Sequence, residues 1–383
     1  MNRILMIGQF HTKNIGDQAI FRMFKSILSK KGNFDVEEFP IKSPEHTFLS
    51  EQQSLKWILI SIWAIFIGLP RHYFRLYTKC KDTDLVIIGG GNLIMDHTLF
   101  SSFQFLGTVL IVKLAKKKLF IGAVGAGPIK YKISRFVYKQ ALRLADKITV
   151  RDKYSYNVLM GLYGIGNNNL DITVTADPVF TTPLQCKMIS RENPVIGIST
   201  AAFESPYFGL GGDKKKYESY IQRMTEIVIE LVRKGYKKIY LIPTEAPYDV
   251  KTMNDIAKNT KIEEELVLTQ PQNFNDLIDV LCDCDLIIGT RMHSMIIALS
   301  QYIPIIGISN QGKTKSLFEA IGFPSFVFNI ESLNIKNILD VVSQVILERN
   351  KITTKIRERV LLLQSKAEQN GDIAVELTGF GKN

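Results

Sequence analysis

Short apolar runs alternate along the chain with stretches in which apolar residues recur every three or four positions. "RILMIG" (3–8), "DLVIIGGG" (84–91), "KLFIGAVGAG" (118–127) and "KITVRD" (147–152) are of the first kind. So are "PVIGIST" (194–200), "KKIYLIPT" (237–244), "DLIIGT" (285–290) and "IPIIGIS" (303–309). Their apolar residues occupy both faces, which predicts parallel strands covered by helices on each side. "DQAIFRMFKSILSKKG" (17–32) predicts an amphipathic helix closing on Gly32. A long helix is predicted from about Lys216 to Lys234.

This alternation predicts an α/β chain. The strand series restarts near residue 194, after a stretch marked by Pro178 and Pro194. Two Rossmann-like domains are expected, 1–185 and 193–365, joined by a hinge and followed by a tail, 366–383. An internal echo supports the division: "DTDLVIIGGGN" in the first half resembles "DCDLIIGTRMH" in the second. Open α/β sheets bind ligands at the carboxyl ends of their strands, so two such sheets facing one another predict a cleft.

Composition narrows the class. Of 383 residues, 46% are hydrophobic and 22% charged, enough for a large core and contrary to disorder. The formal net charge is +11. Twelve basic residues fall between Lys113 and Lys153, opposed only by Asp146 and Asp152, so this window holds nearly the whole excess. Such a field suits phosphate groups or an anionic membrane surface. Nucleic acid is not expected, because no reading motif and little aromatic interleaving accompany the charge. Lys132, Arg135, Lys139 and Arg143 share one helical face, the plain reading being a solvated one. Ile133, Phe136, Val137 and Leu144 are expected on the opposite, buried face.

Cys80, Cys186, Cys282 and Cys284 lack zinc-site spacing and do not resemble a disulfide framework, so a reducing cytoplasm is expected. The N-terminus does not read as a signal peptide. "WILISIWAIFIGLP" (57–70) is short of the roughly 20 residues that span a bilayer. It reads as a core helix or as an interfacial helix flanked by basic residues at the inner face of the cytoplasmic membrane.

The chemistry-bearing residues gather at strand ends. "GQFHTKNIGDQAI" (8–20) sets Asn14, Gly16 and Asp17 at a turn into a helix, where Asp17 reads as an N-cap or as a base for a hydroxyl. "GGGNLIMD" (89–96) offers backbone amides to a phosphate or sugar beside Asn92 and Asp96. Arg151 follows a strand, as a structural ion-pair residue or an anion clamp. "GISNQGKTKS" (307–316) satisfies the P-loop spacing, but its first glycine lies within a strand pattern; Lys313 can bind a phosphate without a P-loop. In "GTRMHSM", Arg291 and His293 would point the same way if the segment were extended. An arginine grips a carboxylate or phosphate in bidentate fashion, and a histidine beside it can deliver a proton.

Taken in order, "NIGDQAI", "DLVIIGGGNLIMD", "GAVGAGPI", "ITVRDKYS", "TADPVF", "LIIGTRMHSMIIA" and "PIIGIS" with its following lysine resemble the polysaccharide pyruvyl transferase family. The resemblance implies a GT-B-like pair of Rossmann-like domains, with the acceptor on the N-terminal side and the donor on the C-terminal side. It also implies transfer of pyruvate from phosphoenolpyruvate to two sugar hydroxyls as a ketal, with no metal or other cofactor. His293 would be the proton donor, Asp17 a second catalytic residue, and Arg291, Arg151 and Lys313 the donor-binding cations. Asn14, Asn92 and Asp96 would meet the acceptor, a cell-surface glycan or its lipid-linked precursor. Two other classes compete: a GT-B glycosyltransferase using a sugar nucleotide, and a non-catalytic, membrane-associated glycan-binding protein.

Overall fold

Two parallel sheets carry the chain, as runs apolar on both faces require. A computed structural model describes residues 2–10, 12–41, 68–96, 99–163, 171–187, 191–202, 214–309 and 311–379. The interfacial reading of 57–70 falls mainly on 57–67, outside the described residues. Leu69 and Pro70 open a helix, with proline at a first-turn position where its missing N–H costs nothing.

The described strands of the first half are β1 (Asn2–Gly8), β2 (Phe34–Pro40), β3 (Leu85–Gly89), β4 (Asn92–Ile94), β5 (Lys118–Ala126), β6 (Lys147–Val150) and β7 (Ile172–Val174). They run in the order β2-β1-β3-β5-β6-β7, with β4 paired to β5, and every pairing is parallel. The helices are α1 (Ile15–Lys31), α2 (Leu69–Lys81), α3 (Leu99–Leu114), α4 (Lys132–Arg143) and α5 (Lys153–Tyr163).

The second half contains β8 (Val195–Ser199), α6 (Lys214–Arg233), β9 (Lys238–Ile242), α7 (Tyr248–Thr260), β10 (Leu266–Leu268) and α8 (Phe274–Cys282). It continues with β11 (Leu286–Gly289), α9 (Met292–Ser300), β12 (Ile305–Ile308), α10 (Gly312–Ala320), β13 (Val327–Phe328), α11 (Ile335–Leu347) and α12 (Arg349–Thr378). Its sheet order is β10-β9-β8-β11-β12-β13, again all parallel. Strand residues such as Ile87, Ile121, Ile198 and Ile288 are fully buried, which is the core that the doubly apolar runs predict.

Contacts divide the chain into two compact units. The first comprises Met1–His11, Ile20–Pro178 and Ser365–Asn383; the second comprises Thr12–Ala19 and Val179–Gln364. Of the expected tail, the described residues 366–379 therefore belong to the first unit. They lie largely in α12, and Asn370 is fully buried in the first unit, accepting from the hydroxyls of Thr149 (2.6 Å) and Thr175 (3.2 Å). Gly371 has no side chain because a Cβ there would stand 2.7 Å from Ile27 of α1.

The internal echo has a structural basis. Asp84 and Asp285 each precede a central strand and close the start of its neighbour. The Arg3 N–H donates to Asp84 Oδ2 at 2.8 Å, while the Asp84 N–H donates to the Arg3 carbonyl at 2.8 Å. Val195 and Asp285 repeat the exchange at 2.8 and 2.8 Å. Leu119 and Asp146 do so a third time, at 2.6 and 2.8 Å. The aspartate satisfies a strand-end N–H and fixes register with it.

Two expectations fail here. In α4 the buried positions are Ser134, Val137, Tyr138, Ala141 and Leu142. Ile133, Phe136 and Leu144 are exposed, alongside the basic residues from which they were expected to be segregated. Counting by threes and fours found the helix, but polar Ser134 belongs to the buried face and Ile133 to the outer one. Cys186 and Cys282 form a disulfide with Cα atoms 4.9 Å apart, whereas Cys80 and Cys284 are free and buried. Ninety-six positions separate the pair, so local spacing could not reveal it. The ground on which a reducing compartment was expected is thereby removed. Among the described residues, no helix is long and apolar enough to cross a membrane.

Candidate functional site

In the second unit, the opening turn of α9 is held from below. Ser294 donates to the Arg291 carbonyl (2.7 Å) and shares a hydrogen bond with Ser199 (2.7 Å) at the end of β8. The Thr290 N–H donates to the Ser199 carbonyl, and the Thr290 hydroxyl meets that of buried Tyr220 at 3.2 Å. Burial pushes the Tyr220 phenol up to about 12. Arg291 takes the N-cap position in extended geometry, whereas Met292 and His293 are already helical. The segment is thus not continuously extended, and the shared-face argument for Arg291 and His293 does not hold. Both lie at the strand-to-helix exit, Arg291 at the cap and His293 in the first helical turn.

Arg291 is heavily engaged. Its Nε donates to Asp249 Oδ2 at 3.0 Å and its Nη2 to Asp249 Oδ1 at 2.6 Å. The same Nη2 lies 2.8 Å from Glu245 Oε2. Burial works against the guanidinium charge, but Asp249 and then Glu245 outweigh it and hold Arg291 above its ordinary value. Asp249 is completely buried and also accepts from the N–H groups of Ala202 (2.8 Å) and Thr244 (3.2 Å). Glu245 is the more accessible partner, 16% exposed. Burial raises its carboxyl above the usual range, Arg291 pulls it down, and the like charge of Asp249 raises it again. One guanidinium thus faces two carboxylates, the geometry of a clamp already gripping a side chain.

Glu245 also ties in the N-terminal turn of α1. Asn14 Nδ2 donates to its Oε2 at 3.4 Å, and the Ile15 N–H donates to the Thr244 carbonyl at 3.1 Å. Asn14, not Asp17, caps the helix: its Oδ1 accepts from the Gly16 N–H at 2.9 Å. Asp17 lies in the first turn and accepts from the Thr12 hydroxyl at 3.0 Å. Gly16 makes room for the histidine, since a Cβ on it would stand 2.3 Å from His293 Nδ1. The second unit therefore brings Asn14, Gly16, Glu245, Asp249, Arg291 and His293 into one linked cluster. Lys313 is half-buried in the first turn of α10. Gly307 is indeed a strand residue, packed where a Cβ would stand 2.5 Å from Phe318, and Thr314 donates to Ser309 Oγ (3.1 Å). The residues around Lys313 are thus used for strand and turn packing.

In the first unit, Arg151 directly follows β6, with its side chain 1% exposed. It donates to Asp177 Oδ2 and to Asn92 Oδ1, both at 2.8 Å, and lies 3.5 Å from Asp152. Gly125 is needed beside it, for a Cβ there would stand 2.4 Å from Asn92 Oδ1 and 2.9 Å from Arg151 Nε. Asp96 Oδ2 accepts from the N–H groups of Lys130 and Tyr131 (2.8 and 2.9 Å), so this carboxylate anchors a turn. Among the described residues, no cluster of His, Cys, Asp and Glu could hold a metal ion.

Glu245 and Asp249 lie outside the motifs, and Asp177 lies in "TADPVF" with no role expected of it. "TEAPYD" follows the strand run "KKIYLIPT", and carboxylates just past a strand end were the signal available.

The profile of the polysaccharide pyruvyl transferase family matches residues 14–312. The chain belongs to that family. It is accordingly a transferase, and the matched span runs from the Asn14 cap to the first residue of α10. A curated relative is the amylovoran biosynthesis protein AmsJ of Erwinia amylovora. It is 23% identical over 94% of this chain and 95% of the relative. Among solved structures, the chain is similar to S. aureus MnaA with UDP, with a TM-score of 0.61, 12% identity, and coverage of 100% of this chain and 98% of the other. A putative UDP-N-acetylglucosamine 2-epimerase from Listeria monocytogenes gives a TM-score of 0.63 at 13% identity, covering 100% and 97%. At these identities the likeness shows the GT-B-like fold alone.

Proposed function

We propose that this family member transfers pyruvate from phosphoenolpyruvate to a sugar diol of an extracellular polysaccharide or its lipid-linked precursor. Family membership supports the reaction class. The observation that carries the reading is the seat of His293 in the opening turn of α9, two residues past the Arg291 cap, where a Cβ on Gly16 would stand 2.3 Å from its Nδ1.

The reaction needs one proton delivered to carbon and cations for a carboxylate and a phosphate. His293 gives its proton to the donor's terminal methylene carbon, converting it to methyl. Positive charge then develops at the central carbon, and a sugar hydroxyl adds there. A second hydroxyl displaces the phosphate, closing the ketal. Of the two hydroxyl protons, one restores His293 and the other leaves with phosphate. Asp17 is the carboxylate assigned to a hydroxyl proton. Arg291 keeps Asp249 as its permanent partner and offers the donor anion the edge now held by Glu245. Lys313 is a further cation for the donor, and Asn14 contacts the acceptor. In the first unit Arg151, Asn92 and Asp96 shape their loops rather than touch donor or acceptor, Arg151 being 1% exposed and bonded to Asp177 and Asn92, and Asp96 holding the turn at Lys130 and Tyr131.

The test is phosphate release from phosphoenolpyruvate with and without a glycan acceptor. The parent should release phosphate only with acceptor. His293→Ala should lose turnover by about 10²–10⁴-fold with its thermal midpoint retained. Full activity in that variant would remove His293 from the proton role. Stabilisation by nucleoside diphosphates and none by phosphoenolpyruvate would favour a sugar-nucleotide enzyme instead.

A further inference from the structure

The outer surface of α2, α3 and α4 departs from a solvated helical layer. Leu76 and Cys80 of α2, Phe105, Val109 and Val112 of α3, and Tyr138, Ala141 and Leu142 of α4 share one buried cluster with Val86, Ile121 and Ile148 of the sheet, which sets these helices on one face. They lie side by side. Gly107 of α3 has no room for a Cβ beneath the Tyr73 hydroxyl of α2, Ser102 bonds Ser134 at 3.3 Å, and Phe105 meets Tyr138 at 5.6 Å.

Their buried faces are apolar, as expected, but so is much of their outer face. On α3, Phe100, Phe103, Leu110 and Leu114 are exposed by 38, 43, 50 and 67%. Their spacing of three, seven and four places them along one outward stripe. Phe74 of α2 (68%) flanks this stripe on one side, and Ile133 (48%) and Phe136 (59%) of α4 flank it on the other. Scattered exposed apolar residues need no explanation, but a contiguous set across three neighbouring helices marks an interaction surface.

The charge on the same helices is one-sided. Arg71, Arg75, Lys79 and Lys81 lie on α2, Lys113 on α3, and Lys132, Arg135, Lys139 and Arg143 on α4; none of the three carries an Asp or Glu. Lys79 pairs with Glu37 and Lys113 with Asp146, but a protein partner of ordinary composition would not call for the cationic frame that the other seven make around aromatic side chains. A lipid surface with anionic headgroups does, because the phosphates take the lysines and arginines while rings enter the boundary beneath them.

We propose that the α2–α3–α4 face docks on an anionic bilayer surface, with Phe103, Leu110 and Phe136 entering the headgroup boundary and Arg71, Arg75 and Lys132 meeting lipid phosphates. This stands on the first unit alone and does not depend on the pyruvyl transfer reading.

The experiment is sedimentation of the full chain with vesicles of phosphatidylcholine alone or mixed with phosphatidylglycerol. The parent should bind the mixed vesicles, bind the neutral ones weakly, and dissociate as salt is raised. Phe103→Ser/Leu110→Ser/Phe136→Ser should weaken partitioning by about tenfold or more, with an unchanged thermal midpoint because these side chains are exposed. Arg71→Glu/Arg75→Glu/Lys132→Glu leaves the apolar stripe intact and should abolish the preference for phosphatidylglycerol. Parental binding by both variants would overturn the proposal. So would failure of the parent to bind, or concentration-dependent dimerisation lost in the serine variant without any vesicle binding.

Discussion

The exits of β3 and β11 start from nearly the same sequence and end in different chemistry. Both strands follow an aspartate that exchanges hydrogen bonds with a residue at the start of the neighbouring strand, and both are wholly buried. After β3 come Gly90 and Gly91, with φ of +74° and +70°. They turn the chain into β4, where Asn92 receives Arg151. After β11 comes Thr290 and then α9, with Arg291 at the cap and His293 in the first turn. The common strand supplies rigidity; the exit decides what is presented. In the first unit the arginine is sealed, while in the second Glu245, one of Arg291's two carboxylate partners, retains some exposure.

The largest expected effect separates the two arginine environments. Asp249→Ala leaves a buried guanidinium without its bidentate partner and two N–H groups without an acceptor. It should cost about 3–5 kcal/mol in chemical denaturation. A loss below about 1 kcal/mol would mean that the ion pair does not hold the β11 exit. Next is Gly16→Ala, whose methyl must displace the His293 ring. Turnover should fall by about 100-fold, the usual consequence of a misplacement near 1 Å, while substrate-free folding persists. Unimpaired turnover would show that His293 does not need its observed seat.

The β3 exit is probed by Gly90→Ala. It forces a left-handed residue into a place where its Cβ meets Ile20 Cγ2 at 2.1 Å. Stability should drop by about 1–3 kcal/mol. An unchanged denaturation midpoint would show that this turn is not tightly held.

The smallest effect is one of pH. The folded chain holds the Glu245 carboxyl above its unfolded value, so the folded state binds a proton more tightly. The stability this residue contributes is present below the ordinary carboxyl value of about 4.3 and is lost as pH rises through the folded value. Glu245→Gln removes that dependence. The difference in thermal midpoint, variant minus parent, should therefore grow more positive from about pH 4 toward neutrality. A flat difference would contradict the raised carboxyl.

The strands, the glycine-rich exits and the family motifs were legible because each rests on local periodicity or contiguous residues. The echo between residues 84 and 285 was legible for the same reason, although its hydrogen bonds span 81 and 90 positions. Partners brought from afar were not. Asp249 lies 42 positions from Arg291, Asn370 lies 221 from Thr149, and Cys186 lies 96 from Cys282. Nothing in the spacing around either member points to the other. The outer face of α4 failed for a different reason. The periodic argument presumes that apolar residues face inward, so an apolar stripe turned outward was assigned to the core. From sequence Asp17 reads as an N-cap or as a base for a hydroxyl, yet Asn14 has the capping geometry and Asp17 keeps its carboxylate in the first helical turn.

The central step is a proton passing from His293 to carbon. The most direct measurement is to run the full chain with phosphoenolpyruvate and its glycan acceptor in heavy water and to examine the ketal methyl by NMR. One deuterium is expected in the product methyl, with phosphate released in step with ketal formation and both slowed by about 10²–10⁴-fold in His293→Ala. A ketal methyl free of deuterium, or deuterated ketal formed as fast by His293→Ala, would contradict this step.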